Sequence, residues 1–442
     1  MLPSVQLLIF FYILFVLDES LSVTARVTLA VLTLLTPSVL TSFNGLIFPK
    51  RNVLFFLGCL LLSVRQFEQT RSIAWAVTAV VIAQIMIYYK ETAFLLLLGF
   101  AIERLILRYK NGHYAKRHYD RLWDKESRLD LCFASLAVLF LIYYFAVIGI
   151  PGNMNYAATA RKPRADVALG YIRVDLLAGV LLAVVLGRIY MILGHRVAPL
   201  LLWDGLAFGG VAYFLGYLYL SIFAIYYLAP MDLIAVLYIG RLVVLSWKQM
   251  RSWGKVAAIL LASNVLLQDM LVSAYTVFER KNVIHAKTEI ASVVETRYRN
   301  NEGNALRLFF PFAVPYMIME FASYLSYRGL PVEGAVDGTA ASNSVFLATR
   351  AVAEDASCVW WMRIRCHAVS GPAPGDLVIV LPDDNVSAEE ASVYRDRGEL
   401  LFSYEPRPPI PPWLSSLFAS LHIGTIRYAP DRWMDGSVTT WK

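Results

Sequence analysis

From residue 2 to about residue 275 the chain is a succession of apolar runs, most of them roughly 17–20 residues long, separated by short polar or charged tips. A run of that length, wound as an α-helix, crosses the hydrocarbon core of a bilayer. In lipid every backbone N–H and C=O must be paired internally, so only helices and closed barrels span. A barrel would alternate apolar and polar residues over short segments, and these runs do not alternate. The sequence therefore predicts an all-α polytopic membrane region of about ten transmembrane helices, near residues 2–17, 27–47, 52–64, 74–89, 92–108, 131–150, 174–193, 200–228, 231–247 and 256–275. The composition agrees, with 58% apolar residues, 17% charged residues and a mean hydropathy of +0.55. The first run has no basic n-region and no small-residue cleavage site, so we read it as a retained helix and not as a cleavable signal peptide.

Orientation follows from the basic residues. The loop 108–130 carries seven Lys/Arg, which places it in the cytoplasm. Alternation then puts Arg65–Arg71, His195-Arg196 and Lys248–Lys255 on the same side, with Asp18 and Glu19. The outside tips become 48–52, 88–92, 149–173 and 226–232, and both termini fall outside. In a bacterium, which the chain resembles, this means the inner membrane, with the C-terminal region on the periplasmic or extracellular side.

Beyond residue 275 the pattern changes. We divide the chain into a multispanning domain 1–275, an amphipathic and apolar connecting region 276–330, and a small extracytoplasmic α/β domain 331–442. Residues 308–325 are apolar but carry Pro311, Pro315 and Glu320. They suit a helix at the membrane surface or a first core element of the tail better than a further span. Residues 376–382 and 399–405 read as strands, the first short, β-branched and ended by Pro. Residues 387–398 and 412–421 read as helices, and 424–429 as a third strand. Cys358 and Cys366 flank a strand-like stretch, either as a disulfide, which an outside location permits, or as two buried thiols. The cysteines have no metal-ligand spacing, so no metal site is assigned.

The residues that could carry chemistry sit at the outside tips. Lys90 and Glu91 lie between two apolar runs, beside Tyr88 and Tyr89. They read as an interfacial anchor or as a site where Lys90 holds a lipid-linked phosphate, a task suited to a compact charge with rotatable donors. Arg161, Lys162, Arg164 and Arg173 run against the positive-inside trend and could grip a phosphate through paired hydrogen bonds. Lys50 and Arg51, with Tyr226, Tyr227 and Asp232, complete the tips that should line one face. The sequence has no phosphate-binding glycine loop, no GxSxG elbow and no HExxH pattern. The basic cytoplasmic loop is read as a topology determinant, and nucleic acid is not an expected partner. Gly209, Gly210 and Gly216 are read as close-packing positions.

These tips, in this order, resemble those of the polytopic glycosyltransferases of the GT-C superfamily, which includes protein mannosyltransferases and aminoarabinose lipid A transferases. The resemblance covers the layout of residues 1 to about 240. The segment 36–44 leading to 48–52, Tyr88-Tyr-Lys-Glu91, and Tyr226-Tyr-Leu-Ala-Pro230 are each similar to a family tip. The resemblance implies transfer of a sugar from a polyprenyl-phosphate donor to an envelope glycolipid, polysaccharide or protein. It implies donor phosphate contacts from Lys90 and the Arg161–Arg173 group, with Lys50, Arg51, Tyr226 and Tyr227 lining the substrate. Some members also bind a divalent cation. Family members open with one further span and a long outside loop carrying the catalytic acid, whereas this sequence starts at a helix similar to the family's second span. The catalytic base is thus unassigned, with Glu91 and Asp232 as substitutes to test. Competing readings are a polysaccharide polymerase or ligase, a lipid-linked glycan transporter and a non-catalytic accessory subunit.

Overall fold

The computed structural model describes residues 3–44, 50–112, 125–149, 163–174, 176–194, 196–221, 227–266, 270–301, 305–311, 315–333, 344–350, 367–381, 392–394, 396–404 and 436–441. The chain divides into two compact units, the first ending at Val277 and the second beginning at Phe278.

The first unit is helical. Its described elements are α1 (Pro3–Leu17), α2 (Val23–Leu35), α3 (Pro37–Asn44), α4 (Lys50–Thr70), α5 (Ile73–Tyr89), α6 (Ala93–Gly112), α7 (Lys125–Tyr144), α8 (Arg164–Val174), α9 (Leu176–Leu193), α10 (Leu201–Leu220), α11 (Ala229–Ser246) and α12 (Ser252–Asn264). Among the described residues, four helical stretches are long and apolar enough to cross a membrane: 125–147, 176–193, 201–220 and 229–246. Three shorter helices, 4–17, 23–35 and 73–89, are also apolar.

Several expected runs are subdivided. Residues 27–47 do not form one helix. The break falls at Thr36-Pro37, where Thr36 turns extended with φ −63° and ψ 138° and its hydroxyl bonds the Thr33 carbonyl at 2.9 Å. Proline lacks the N–H that would continue the ladder and disfavours helix in the residue before it. The run expected at 174–193 is preceded by a separate helix, α8, which takes up the second half of the expected outside loop 149–173. At the tight turns, Arg71 and Ser221 adopt φ 55°, which lets α4 reverse into α5 and ends α10.

Helices α6 and α10 run antiparallel in close contact. Thr92 meets Tyr217 hydroxyl to hydroxyl at 2.7 Å at one end of the pair. A Cβ on Gly205 would come 2.7 Å from Arg104 Cγ at the other. Between them, a Cβ on Gly209 would lie 2.6 Å from the Leu96 carbonyl oxygen. Small residues let the two backbones approach, as the sequence pattern suggested.

The second unit holds helix α13 (Met270–Arg299), most of which belongs to it, then β1 (Leu306–Phe310), α14 (Pro315–Tyr327), β2 (Val332–Glu333), β3 (Val345–Arg350), β4 (His367–Val369), β5 (Leu377–Val380), β6 (Gly398–Tyr404) and β7 (Gly436–Trp441). The strands form one mixed sheet ordered β2-β3-β1-β5-β7-β6, with β4 also pairing β3. The first five strands pair in parallel, and β7 lies antiparallel between β5 and β6. Alternation along β1 serves both faces. Leu306, Leu308 and Phe310 pack with Ile290 and Val294 of α13 and Ile318 and Phe321 of α14, while Phe309 packs with Phe346, Val378 and Tyr394.

Residues 308–325 are therefore a strand and a helix of this core and not a linker or a span. The prolines and Glu320 explain the outcome, since Pro311 ends β1 and Pro315 opens α14. The expected strands at 376–382 and 399–405 correspond to β5 and β6. Half of the expected helix 387–398, all of 412–421 and 424–429, and both Cys358 and Cys366 lie outside the described residues, while 392–394 and 396 are helical.

Candidate functional site

The helix directions sort the polar side chains of the first unit into two groups. Its first end carries the amino ends of α1, α4, α6 and α11 and the carboxyl ends of α2, α5 and α10. Five contacts fix this: Gln6 Nε2 donates to Asn52 Oδ1 at 3.0 Å, Phe56 stacks on Tyr89 with centroids 5.4 Å apart, Tyr217 stacks on Tyr227 at 4.5 Å, Thr92 at the start of α6 meets Tyr217, and Ser38, just past α2, bonds Asp232.

Lys90 sits where α5 ends, and its own N–H caps the helix on the Met86 carbonyl at 3.4 Å. Its side chain is buried, with 7% exposure, although the flanking Tyr88 and Tyr89 are exposed. It pairs with Glu91, and its Nζ lies 5.9 Å from the centre of the Tyr227 ring. Behind this pair the Thr92, Tyr217 and Tyr213 hydroxyls form a chain, the last link being 3.4 Å. A buried anchor differs from the snorkelling lysine of an ordinary interface.

Asp232 lies in the first turn of α11 and is fully buried. Ser38 of α3 donates its hydroxyl to the Asp232 carboxylate, a contact possible only because the Pro37 break redirects the chain. In the first turn of α4, Arg51 has Nε and one terminal nitrogen shielded from solvent with no hydrogen-bond partner among the described residues. Arg164, at the start of α8, places its guanidinium 5.1 Å from the Tyr219 ring at the carboxyl end of α10.

Of the residues singled out in the sequence, Arg51, Lys90, Glu91, Arg164, Tyr227 and Asp232 thus share the first end. Lys50 opens α4 and Arg173 lies in α8, and nothing is described of their side chains. Arg161, Lys162 and Tyr226 lie outside the described residues. Ser38, Thr92, Tyr213 and Tyr217 belong to the same neighbourhood but were not anticipated. Their signal was a run of hydroxyls placed at the ends of apolar segments.

The second end holds a larger set of charges, several of them placed on one side by the sequence, whose pairing was not anticipated. Arg104, fully buried, bonds Asp130 of α7 at 2.8 Å and Glu68 of α4 at 2.8 Å. Arg108 bonds Asp130 at 3.1 Å and also reaches Glu126, which Arg71 meets in turn. Nearby, Asp204 receives Arg188 at 3.1 Å, the Tyr238 hydroxyl at 2.6 Å and the Leu200 N–H at 2.6 Å. Asp18 pairs with Arg241. The available signal was ionisable residues embedded in apolar runs, as in Ile102-Glu-Arg-Leu105 and Trp203-Asp204, which by default deserve a named partner.

Among the described residues, no three His, Cys, Asp or Glu side chains come together in a way that could hold a metal ion, so no residue set is assigned to a divalent cation. No family model, no curated protein and no solved structure matches this chain.

Proposed function

We propose that the first unit is embedded in a bacterial inner membrane and that its first end, facing outward, is a glycosyl-transfer site for a polyprenyl-phosphate-linked sugar. The observation that carries this reading is Arg51, with two shielded guanidinium nitrogens that have no acceptor among the described residues, at the same end as the buried Lys90–Glu91 pair and the aromatic ring of Tyr227. Shielded donors without acceptors are costly, and a phosphate oxygen is the acceptor that a guanidinium fork fits best. Lys90 and Arg51 would hold the donor phosphate, with Arg164 at the rim and Arg161, Lys162 and Arg173 as further contacts. Tyr227 offers an aromatic face to the sugar.

In the transfer step the acceptor hydroxyl attacks the anomeric carbon as the carbon–oxygen bond to phosphate breaks. The polyprenyl phosphate leaves with that bonding pair, and the hydroxyl proton passes to a carboxylate. Asp232 is the residue we assign to receive it, and its bond from Ser38 orients the carboxylate. The C-terminal α/β unit would be extracytoplasmic.

The test uses membrane vesicles containing the full chain, supplied with a labelled polyprenyl-phosphate sugar. Arg51→Gln and Lys90→Ala should each lower transfer by roughly 10- to 100-fold, the worth of a charge-assisted contact of about 1.5–3 kcal/mol. Asp232→Asn should lower kcat more than KM. Full transfer by both cation variants would remove the phosphate site from this end.

A further inference from the structure

At the second end of the first unit, Arg71, Arg104, Arg108, Arg188 and Arg241 all meet carboxylates. Lys248, Arg251 and Lys255 do not. They stand at the turn between α11, one of the helices long and apolar enough to cross a membrane, and α12. No acidic residue occurs in the sequence between Asp232 and Asp269, and among the described residues none of the three cations pairs with an acid. The turn is ordered by its own backbone. The Gln249 and Met250 N–H groups donate to the Ser246 carbonyl at 2.8 and 2.9 Å, and the Lys255 N–H donates to the Arg251 carbonyl at 3.1 Å.

Two tryptophans accompany these cations. Trp247, Lys248, Arg251 and Trp253 are exposed, Trp253 by 72%, and the Lys255 ammonium lies 5.7 Å from the centre of the Trp247 ring. Behind them, α12 buries none of its 13 residues. Trp253, Val256 and Leu260, at i, i+3 and i+7, share one face, and each is more than half exposed. Cations alone would be satisfied by water and counterions. Exposed tryptophans beside an apolar helix face are not, because an indole has an apolar body and one polar N–H and fits the level of lipid headgroups. A Lys or Arg held at that level gains about 1 kcal/mol from an anionic leaflet.

We infer that the Trp247–Lys255 turn docks on an anionic lipid surface, with its tryptophans among the headgroups, its three cations against lipid phosphates and the apolar face of α12 towards the acyl chains. This docking rests on the embedding of the first unit in a bilayer and on no step of the proposed transfer reaction.

The full chain, reconstituted in phosphatidylcholine nanodiscs with increasing fractions of phosphatidylglycerol, is unfolded thermally. Stabilisation that saturates with phosphatidylglycerol is expected, since a ligand held by the folded state raises its stability, and it should weaken in high salt. Lys248→Gln, Arg251→Gln and Lys255→Gln combined should raise the half-saturating fraction about tenfold or more, within the reach of three contacts of about 1 kcal/mol each. Lys125→Gln, Arg128→Gln and Arg196→Gln combined remove three exposed cations from the same end and should leave that fraction unaltered. In pure phosphatidylcholine both combinations should unfold as the wild type does, which separates lost lipid binding from a damaged fold. A wild-type response in the turn variant, an equal loss in both variants, or no response of the wild type to phosphatidylglycerol would overturn the inference. A chain that does not enter nanodiscs at all would overturn the embedding itself, and the docking with it.

Discussion

At the residue scale, a side chain's worth depends on whether its charge has somewhere to go. Lys90 was readable from sequence as a charge at a hairpin tip, but its burial was not, because burial comes from Tyr227 arriving from a different hairpin. The Ser38–Asp232 bond joins residues 194 positions apart, and no local pattern announces it. In the second unit, burial pushes the Asp376 carboxyl above its ordinary value, against the opposing pull of the Ala373 N–H and Arg307. The native state then holds the proton more tightly than the unfolded chain, so stability falls as pH rises from near 3.8 through the raised native value. Asp376→Asn should flatten that slope, and thermal unfolding of the full chain across this pH range would show it. A slope that persists in the variant would assign the effect to another group.

At the scale of elements, periodicity and length were legible while the breaks were less so. The apolar runs became helices because their backbone groups can pair only internally, and the glycines of α10 marked its contact with α6. Gly209→Leu should force these helices apart, costing about 1–3 kcal/mol as an overpacked contact does, measurable as a lower unfolding temperature in detergent. Subdivision of 27–47 at Pro37 could have been anticipated from the proline alone. Strand β7 could not, because Gly436–Trp441 is short and half polar and its strand character comes from lying between β5 and β6. The clamp between α6 and α7 makes a sharper claim. Asp130→Asn leaves Arg104 without a full counter-charge in a fully buried position, and should destabilise the protein by roughly 3–5 kcal/mol. A change below about 1 kcal/mol would mean that water or Glu68 already neutralises Arg104.

At the scale of the whole molecule, the two ends of the helical unit differ in kind. One gathers Lys90, Arg51 and Arg164 with the Thr92, Tyr213 and Tyr217 hydroxyls, and the other ties several acids to arginines in a network. The orientation we propose from the basic loops would make the first end external. In a variant with all four cysteines replaced by alanine, a cysteine at Tyr88 should react with an impermeant maleimide added to intact spheroplasts. A cysteine at Gln249 should react only after permeabilisation. The reverse result would turn the molecule over and place the proposed transfer site in the cytoplasm.

The Arg104–Asp130 pair also constrains how the chain is made. Its partners lie 26 residues apart, and α4, which carries Glu68, emerges before α6 while α7 follows it. On the proposed membrane reading, an arginine inside an apolar helix is costly to leave unpaired in lipid, so Arg104 has only Glu68 to meet until α7 brings Asp130. Synthesis paused between α6 and α7 would then leave the arginine half-matched, a vulnerability set by the order of three residues along the ribosome's product.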